Sequence, residues 1–277
     1  NLRNAVYKSK IDLTQAYYSI PISAESRLKT AFYALNKQYC YNRTPFGLTA
    51  APSTWSYLMC KLFDDCLDFV IWYFDDVTIF SQSAEEHLKH LQIVFSRLQW
   101  GGQKIKMLKC QFFLRPEDPM SWLGHTIKDN AVYADSNKLV AISHLPVPKT
   151  VKQLQQFLGQ TSALRKFINN FSDIAVPLHT AVKEGNKSGT LTWNADLQDS
   201  FDLIKQNMEK PPCLALPDPS QHFFVTTDAS AFAIGAVLSQ IHVESEHPVL
   251  YASRKFSDNE AANFTSPEKE LYGIIFG

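Results

Sequence analysis

The stretch IWYFDDVTIFS, Ile71 to Ser81, sets two aspartates side by side in an otherwise apolar run. Residues this rich in Ile, Val, Phe, Tyr and Trp read as a buried β-hairpin. A buried charge pair without partners costs several kcal/mol per ion. The pair is therefore either a solvated turn or the seat of something cationic. Tight two-residue turns prefer Asn-Gly, Asp-Gly or Gly-Gly because both central residues take φ > 0, and Asp75-Asp76 is a poorer turn than those. Taken alone, the pair favours the solvated turn.

The chain's 277 residues leave room for two domains or more, and 45% hydrophobic with 13% aromatic residues is enough to bury real cores. The five cysteines, Cys40, Cys60, Cys66, Cys110 and Cys213, are odd in number and form no C-x-x-C pair, so neither a disulfide framework nor a zinc site is suggested. The opening NLRNAVYKSK lacks the apolar core of a signal peptide, and no apolar run approaches the roughly 18 residues of a membrane span. A soluble protein of a reducing compartment, with no membrane partner, is expected. Formal net charge is zero, yet it is unevenly spread: +1 over residues 1–100, +6 over 101–170 and −7 over 171–277. A basic middle beside an acidic end suits an anionic partner docking on the middle, or simply solvated lysine-rich helix faces.

Along the chain, KSKIDLTQAYYSIPI begins as a strand, and LKTAFYAL with QYCYNR reads as a strand pair turning at Asn36-Lys37. From Pro52, the residues Trp55, Leu58, Met59, Leu62, Phe63, Cys66 and Phe69 recur at three and four, the buried stripe of an amphipathic helix. After the DD hairpin a second helix spans Ala84 to Trp100, with Ser83 as N-cap, Glu86 three residues on, and a stop at Gly101-Gly102. Strand, helix, hairpin, helix, strand is the order of a split βαβ sheet with two helices on one face. PVPKT at 146–150 punctuates the chain, and Thr150 caps a helix with Val151, Leu154, Phe157 and Leu158 as apolar positions. After Pro211-Pro212, HFFVTTDASAFAIGAVLSQ alternates as strands do.

In a split βαβ sheet the central strands place their ends side by side, which would bring Asp12 to Asp75 and Asp76. Three carboxylates in one place repel one another and call for divalent cations. Hard oxygen ligands with retained waters suit magnesium, and two such ions about 4 Å apart stabilise the attacking and leaving oxygens of an in-line phosphoryl displacement.

The ordered set IDLTQAYYSIPI, TPFGLTAAPSTW, YFDDVTIFS and SWLGHTI resembles the palm motifs of reverse transcriptases, most nearly those of Ty3/gypsy-type retrotransposons and more distantly those of retroviral polymerases. KCQF, QQFLGQTSALRKFINNFSDIAVPL, TTDASAFAIGAVLSQ and HPVLYASRKFS match the same polyprotein further along, so the resemblance covers essentially the whole chain. It implies an α+β fold: a right-hand polymerase palm with a ferredoxin-like split βαβ sheet and a helical thumb, followed by a truncated ribonuclease H-like α/β domain. The boundaries it implies are 1–133 for the palm with partial fingers, 134–190 for the thumb, 191–221 for the connection and 222–277 for the ribonuclease H-like part.

The same resemblance assigns roles. Asp12, Asp75 and Asp76 would be the catalytic, metal-binding triad for two magnesium ions, with manganese as a substitute and Leu13 lending a carbonyl. Tyr17 falls on the aromatic steric gate under the sugar, where the residue alone would read as sheet packing. Pro45, Phe46 and Gly47 fall on the loop lining the incoming nucleotide and template. Tyr73 and Phe74 flank the primer end, and Trp122, Leu123 and Gly124 resemble the primer grip. Lys109 lies near the position that protonates the pyrophosphate leaving group; by itself it reads about as well as a solvated lysine. Lys138, Lys149, Lys152, Arg165 and Lys166 belong to the thumb-like part that tracks duplex phosphates, although Ala163-Leu164 replace the family's usual tyrosine pair. Asp228 and Glu270 sit where ribonuclease H carries its first two metal ligands, and as bare residues they read as surface acids.

The partners implied are an RNA template, a DNA primer, the RNA–DNA hybrid, dNTPs and other parts of the polyprotein, in the cytoplasm or within virus-like particles. Most of the fingers and the last two ribonuclease H carboxylates are not found in the sequence, which reads as a fragment of weak or no activity on its own. The rival readings are a non-catalytic module that binds nucleic acid or protein through the same fold, and a hydrolase in which only the ribonuclease H end matters.

Overall fold

The structure, a computed structural model, describes residues 3–209, 211–242 and 245–277. Its contacts divide the chain into two compact units, Asn1–Leu123 and Gly124–Gly277.

The first unit is built on a twisted antiparallel sheet. Its elements are β1 (Tyr7–Thr14), α1 (Ala24–Arg27), β2 (Phe32–Ala34), β3 (Lys37–Tyr39), α2 (Ala51–Phe63), β4 (Val70–Tyr73), β5 (Asp76–Ser81), α3 (Ala84–Trp100), β6 (Lys104–Ile105), β7 (Gln111–Leu114) and β8 (Met120–Trp122). The strands run in the order β4-β5-β1, with β6 and β7 both pairing along the far edge of β1. This is the split βαβ arrangement. Ile11, Leu13, Val70, Val77 and Ile79 project from one sheet face onto Trp55, Met59, Leu62 and Phe63 of α2 and Leu91, Val94 and Leu98 of α3, all nearly or fully buried. Helix α3 begins at Ser83, whose hydroxyl accepts the Glu86 N–H, while the Glu86 carboxylate accepts the Gln82 N–H. It ends at Gly101, and Gly102 takes a positive φ.

The β2–β3 hairpin turns one residue earlier than the sequence suggests. Ala34 pairs with Lys37, so Leu35 and Asn36, at φ 50° and 58°, are the central residues. The left-handed region suits Asn and disfavours leucine, which is why propensity alone points to Asn36-Lys37.

The second unit contains β9 (His125–Lys128), β10 (Ala131–Ala134), α4 (Ser136–Ser143), α5 (Val151–Ser162), α6 (Phe171–Ile174), α7 (Val176–Ser188), α8 (Ala195–Glu209), β11 (Leu214–Ala215), β12 (Phe224–Ala229), β13 (Ala233–His242), β14 (Ser245–Lys255), α9 (Asp258–Asn263) and α10 (Ser266–Phe276). Strands β9, β10 and β11 form one antiparallel group, and β12-β13-β14 form a meander. The helices bury Ile142, Leu154, Phe157, Leu158, Leu178, Leu197, Phe201, Ile204 and Met208 in a single core. Thr150 caps α5 by accepting the Gln153 N–H.

The helical layer is tied to the meander through Ser253 of β14. Its hydroxyl accepts the Ser172 N–H at 3.0 Å and its carbonyl accepts from the Arg165 guanidinium at 3.3 Å. Helix α10 lies on the same sheet: a Cβ placed on Gly273 would stand 3.7 Å from Thr227 and Ile234, ordinary packing distance.

Candidate active site

β1 carries Lys8, Lys10 and Asp12 on one face and Ile11 and Leu13 on the other, as the two-residue period of a strand requires. Its pairing with β5 sets Asp12 directly opposite Asp76. The two carboxylates thus rise from neighbouring strands, each side chain less than one-fifth exposed.

The turn joining β4 to β5 is centred on Phe74 and Asp75, because Tyr73 pairs with Asp76. The adjacent aspartates are therefore not the turn itself: Asp75 is its exposed second residue and Asp76 is the first residue of a strand. Phe74 takes φ 52°, a conformation that costs an L-residue about 1–2 kcal/mol. Two backbone contacts hold it there. The Leu13 N–H donates to the Asp75 carbonyl at 2.9 Å, and the indole N–H of buried Trp55 donates to the Phe74 carbonyl at 2.8 Å. Asp12 is held at both backbone ends: its N–H donates to Cys110 Sγ at 3.5 Å, and its carbonyl accepts the Lys106 N–H at 2.8 Å.

Each carboxylate meets an ammonium. Lys10 Nζ stands 3.1 Å from Asp76 Oδ1. Lys109 Nζ stands 3.7 Å from Asp12 Oδ2 and is more than half exposed. Burial pushes the Asp76 carboxyl above the ordinary range; Lys10 opposes the shift, and the neighbouring charges of Asp75 and Asp12 reinforce it. Among the described residues, no three His, Cys, Asp or Glu side chains are gathered into a cage of their own. Asp12 and Asp76 nonetheless supply the donors that a hard cation such as magnesium takes, one or two carboxylates with the other positions left to water and phosphate. The two ammoniums already on these carboxylates mark the place as one that binds positive charge.

An aromatic cluster follows β1 and packs on Trp55, the residue that also holds the turn. Tyr17 meets Phe46 edge-on at 5.4 Å and Trp55 at 6.4 Å, and Tyr18 meets Phe46 at 5.4 Å. Pro45 is buried, Phe46 is exposed, and Gly47 takes φ 91°, a conformation that side chains rarely adopt. The Thr44 N–H bonds to the Ile20 carbonyl at 2.9 Å and so fixes this loop to the segment after β1.

Comparison with known proteins supplies the family. A model described as reverse transcriptase (RNA-dependent DNA polymerase) matches residues 1–127, and one described as RNase H-like domain found in reverse transcriptase matches residues 193–277. The Pol polyprotein of transposon 297 from Drosophila melanogaster is 36% identical over 271 residues, 98% of this chain and 25% of that protein. The chain belongs to the retroelement reverse transcriptases.

Another relative, the Schizosaccharomyces pombe transposon Tf2-3 polyprotein, is 31% identical over 96% of the chain and 20% of its own length. The chain thus spans about a quarter of the length of these curated relatives. Among solved structures, a foamy viral protease-reverse transcriptase in complex with RNA/DNA hybrid matches at TM-score 0.84 and 27% identity, over 99% of this chain and 37% of that one. The same enzyme in complex with dsDNA matches equally well at 26% identity, over 57% of its chain.

The remaining expected site residues fall as follows. Tyr73 and Phe74 are exposed, edge-to-face at 4.8 Å. Trp122 is half-buried, and its indole N–H, out of water, has no hydrogen-bond partner among the described residues. Leu123 and Gly124 follow at φ 50° and 72°; a Cβ on Gly124 would fall 2.5 Å from Lys138 Nζ. Lys149 and Lys152 are exposed. Arg165 instead donates to the Ser253 carbonyl, and Lys166 is half-buried, with burial and then Lys138 lowering its pKa. Asp228, paired with Gly235 in β12, and Glu270 on α10 are both exposed.

Two residues at the carboxylates escaped the sequence reading. Lys10 shares the parity of Asp12 on β1, and that signal was available. Trp55 reads as one more member of a helix stripe, and only the fold shows that its N–H reaches the turn.

Proposed function

We propose that this chain is the polymerase core of an RNA-directed DNA polymerase, in which a primer 3′-OH attacks the α-phosphate of a dNTP. The observation that carries the proposal is the register pairing of Asp12 with Asp76 beside a turn held at both carbonyls. Magnesium held by Asp12, Asp75 and Asp76 would supply the positive charge that stabilises the attacking and leaving oxygens. The chain's own residues do the rest. Asp12, with Leu13 beside it, and Asp76 would fix the place of the reaction because strand pairing and backbone hydrogen bonds hold the backbone that carries them.

Tyr17 and Phe46 wall the nucleotide pocket, and Pro45 and Gly47 shape the loop that presents Phe46. Lys109, exposed and already beside Asp12, is placed to give a proton to departing pyrophosphate. Tyr73, Phe74, Trp122, Leu123 and Gly124 hold the primer end, while Lys149 and Lys152, with less freedom for Arg165 and Lys166, contact duplex phosphates. Residues 1–133, 134–190, 191–221 and 222–277 act as palm, thumb, connection and a ribonuclease H-like part, with Asp228 and Glu270 as the latter's acids. An RNA template, a DNA primer and their hybrid are the partners this requires.

Primer extension on an RNA template with magnesium tests the proposal, run on the 277 residues and on a longer Pol protein containing them. The short chain is expected to extend weakly and the longer one robustly. Asp75→Asn with Asp76→Asn is expected to abolish extension in both; extension that survives it sinks the triad. Tight hybrid binding without turnover in the longer protein would favour the non-catalytic binding module instead.

A further inference from the structure

Lys10 lies two residues before Asp12 on the same strand face, and only about one-eighth of its side chain reaches solvent. Directly opposite it in the β1–β5 register is Thr78, fully buried, with a hydroxyl that has no hydrogen-bond partner among the described residues. The surroundings are therefore poor in water, and a lysine there needs an anion. Its ammonium meets Asp76 Oδ1 at 3.1 Å.

The two ion pairs of the site are unequal. Lys109 reaches Asp12 from solvent, at 3.7 Å and more than half exposed, and can leave at little cost. Lys10 and Asp76 are both mostly enclosed, where breaking a pair leaves an uncompensated charge. Lysine is a compact point charge on a flexible stem, suited to standing in for a metal ion at one carboxylate oxygen.

We propose that Lys10 is a positioning residue of the active site: a tethered cation that holds Asp76 and competes with divalent ions for its Oδ1. Before substrate arrives, the Asp12 side of the site is open to a metal and the Asp76 side is internally neutralised. This rests on the polymerase reading of the three aspartates.

The test is Mn2+ binding, followed by electron paramagnetic resonance of free Mn2+ with no nucleic acid or dNTP present, on the whole 277-residue chain. Lys10→Met removes the competitor and keeps the stem. It is expected to tighten binding by about tenfold or more, since a unit charge a few ångströms away acts in a partly enclosed site. Lys10→Arg keeps the charge and is expected to stay within about twofold of wild type. Adding Asp76→Asn to Lys10→Met is expected to cancel the gain, which a purely structural lysine would not predict. Circular dichroism checks folding; should Lys10→Met not fold, Lys10→Gln carries the same comparison. Unchanged or weaker Mn2+ binding in the charge-removing variant overturns the proposal for Lys10, provided wild-type binding is lost in Asp12→Asn with Asp76→Asn. Wild-type binding that ignores that double substitution overturns the metal site itself, and the role of Lys10 with it.

Discussion

The protein carries two sets of acids, and they are built in opposite ways. Asp12 and Asp76 are mostly enclosed, face each other across adjacent strands, and each meets a lysine ammonium. Asp228 and Glu270 lie exposed on β12 and α10. Enclosed acids are tolerated only where the fold supplies partners and a fixed backbone. Exposed acids ask nothing of the fold. The first pair is held in place by the fold itself, whereas the second stands in solvent.

The sharpest way to break this contrast is substitution at both sites under one assay. Asp12→Asn with Asp76→Asn in a longer Pol protein is expected to lower primer extension by about a thousandfold or more, and Asp228→Asn with Glu270→Gln to leave it within about twofold. Comparable losses from the two pairs would erase the distinction.

The next effect concerns acid. His87 of α3 is fully buried, with Ser9 Oγ at 2.6 Å from one ring nitrogen and Ser81 Oγ at 2.8 Å from the other. Burial, reinforced by His90, holds its pKa down at about 4. An unfolded imidazole takes up its proton near 6.5, so between about pH 6.5 and 4 the unfolded state binds more protons and stability falls as pH falls. Full depression over that window corresponds to about 3 kcal/mol. Urea unfolding at pH 7.5 and pH 4.5 should show this loss in wild type and a smaller one in His87→Gln, whose side chain takes no proton.

A smaller effect is predicted at the turn. Trp55→Phe keeps an aromatic ring in the core but removes the donor to the Phe74 carbonyl, along with part of the indole's volume. One lost hydrogen bond is worth about 1 kcal/mol, so extension is expected to fall severalfold through kcat, with the KM for dNTP little changed. A loss confined to KM would place Trp55 in the nucleotide wall instead of behind the turn. Smallest of all, Asp228→Asn with Glu270→Gln should shift the melting temperature by no more than about 2 °C.

Much of the palm was legible in advance because its signals are local. The capping pair Ser83 and Glu86, the Gly101-Gly102 stop, the Trp55-to-Phe63 stripe and the strand around Asp12 each state their structure within a few residues. The sheet order followed from the order of elements. What stayed hidden depends on distant partners or on strain. Arg165 reads as a basic surface residue until Ser253, 88 positions away, takes its guanidinium. The hairpin turn at Leu35-Asn36 and the left-handed Phe74 run against intrinsic preference, so propensity misplaced one and gave no sign of the other. Lys10 and Trp55 were visible as residue types, but their work is a contact that only the folded sheet creates.

The pairing of Asp12 with Asp76, on a strand entered through the two-residue turn at Phe74-Asp75, has a consequence for how this protein can vary. In a strand with one face on the core, a shift of a single residue sends every side chain to the opposite face. One residue gained or lost between Val70 and Ser81 would therefore carry the aspartates toward the helices and Ile79 toward the site. Outside the aspartates and the buried positions Val70, Val77 and Ile79, side chains along this hairpin can be exchanged one at a time, but its length cannot change. Natural variants should differ here only at positions that are neither aspartate nor core, and their insertions and deletions should fall elsewhere.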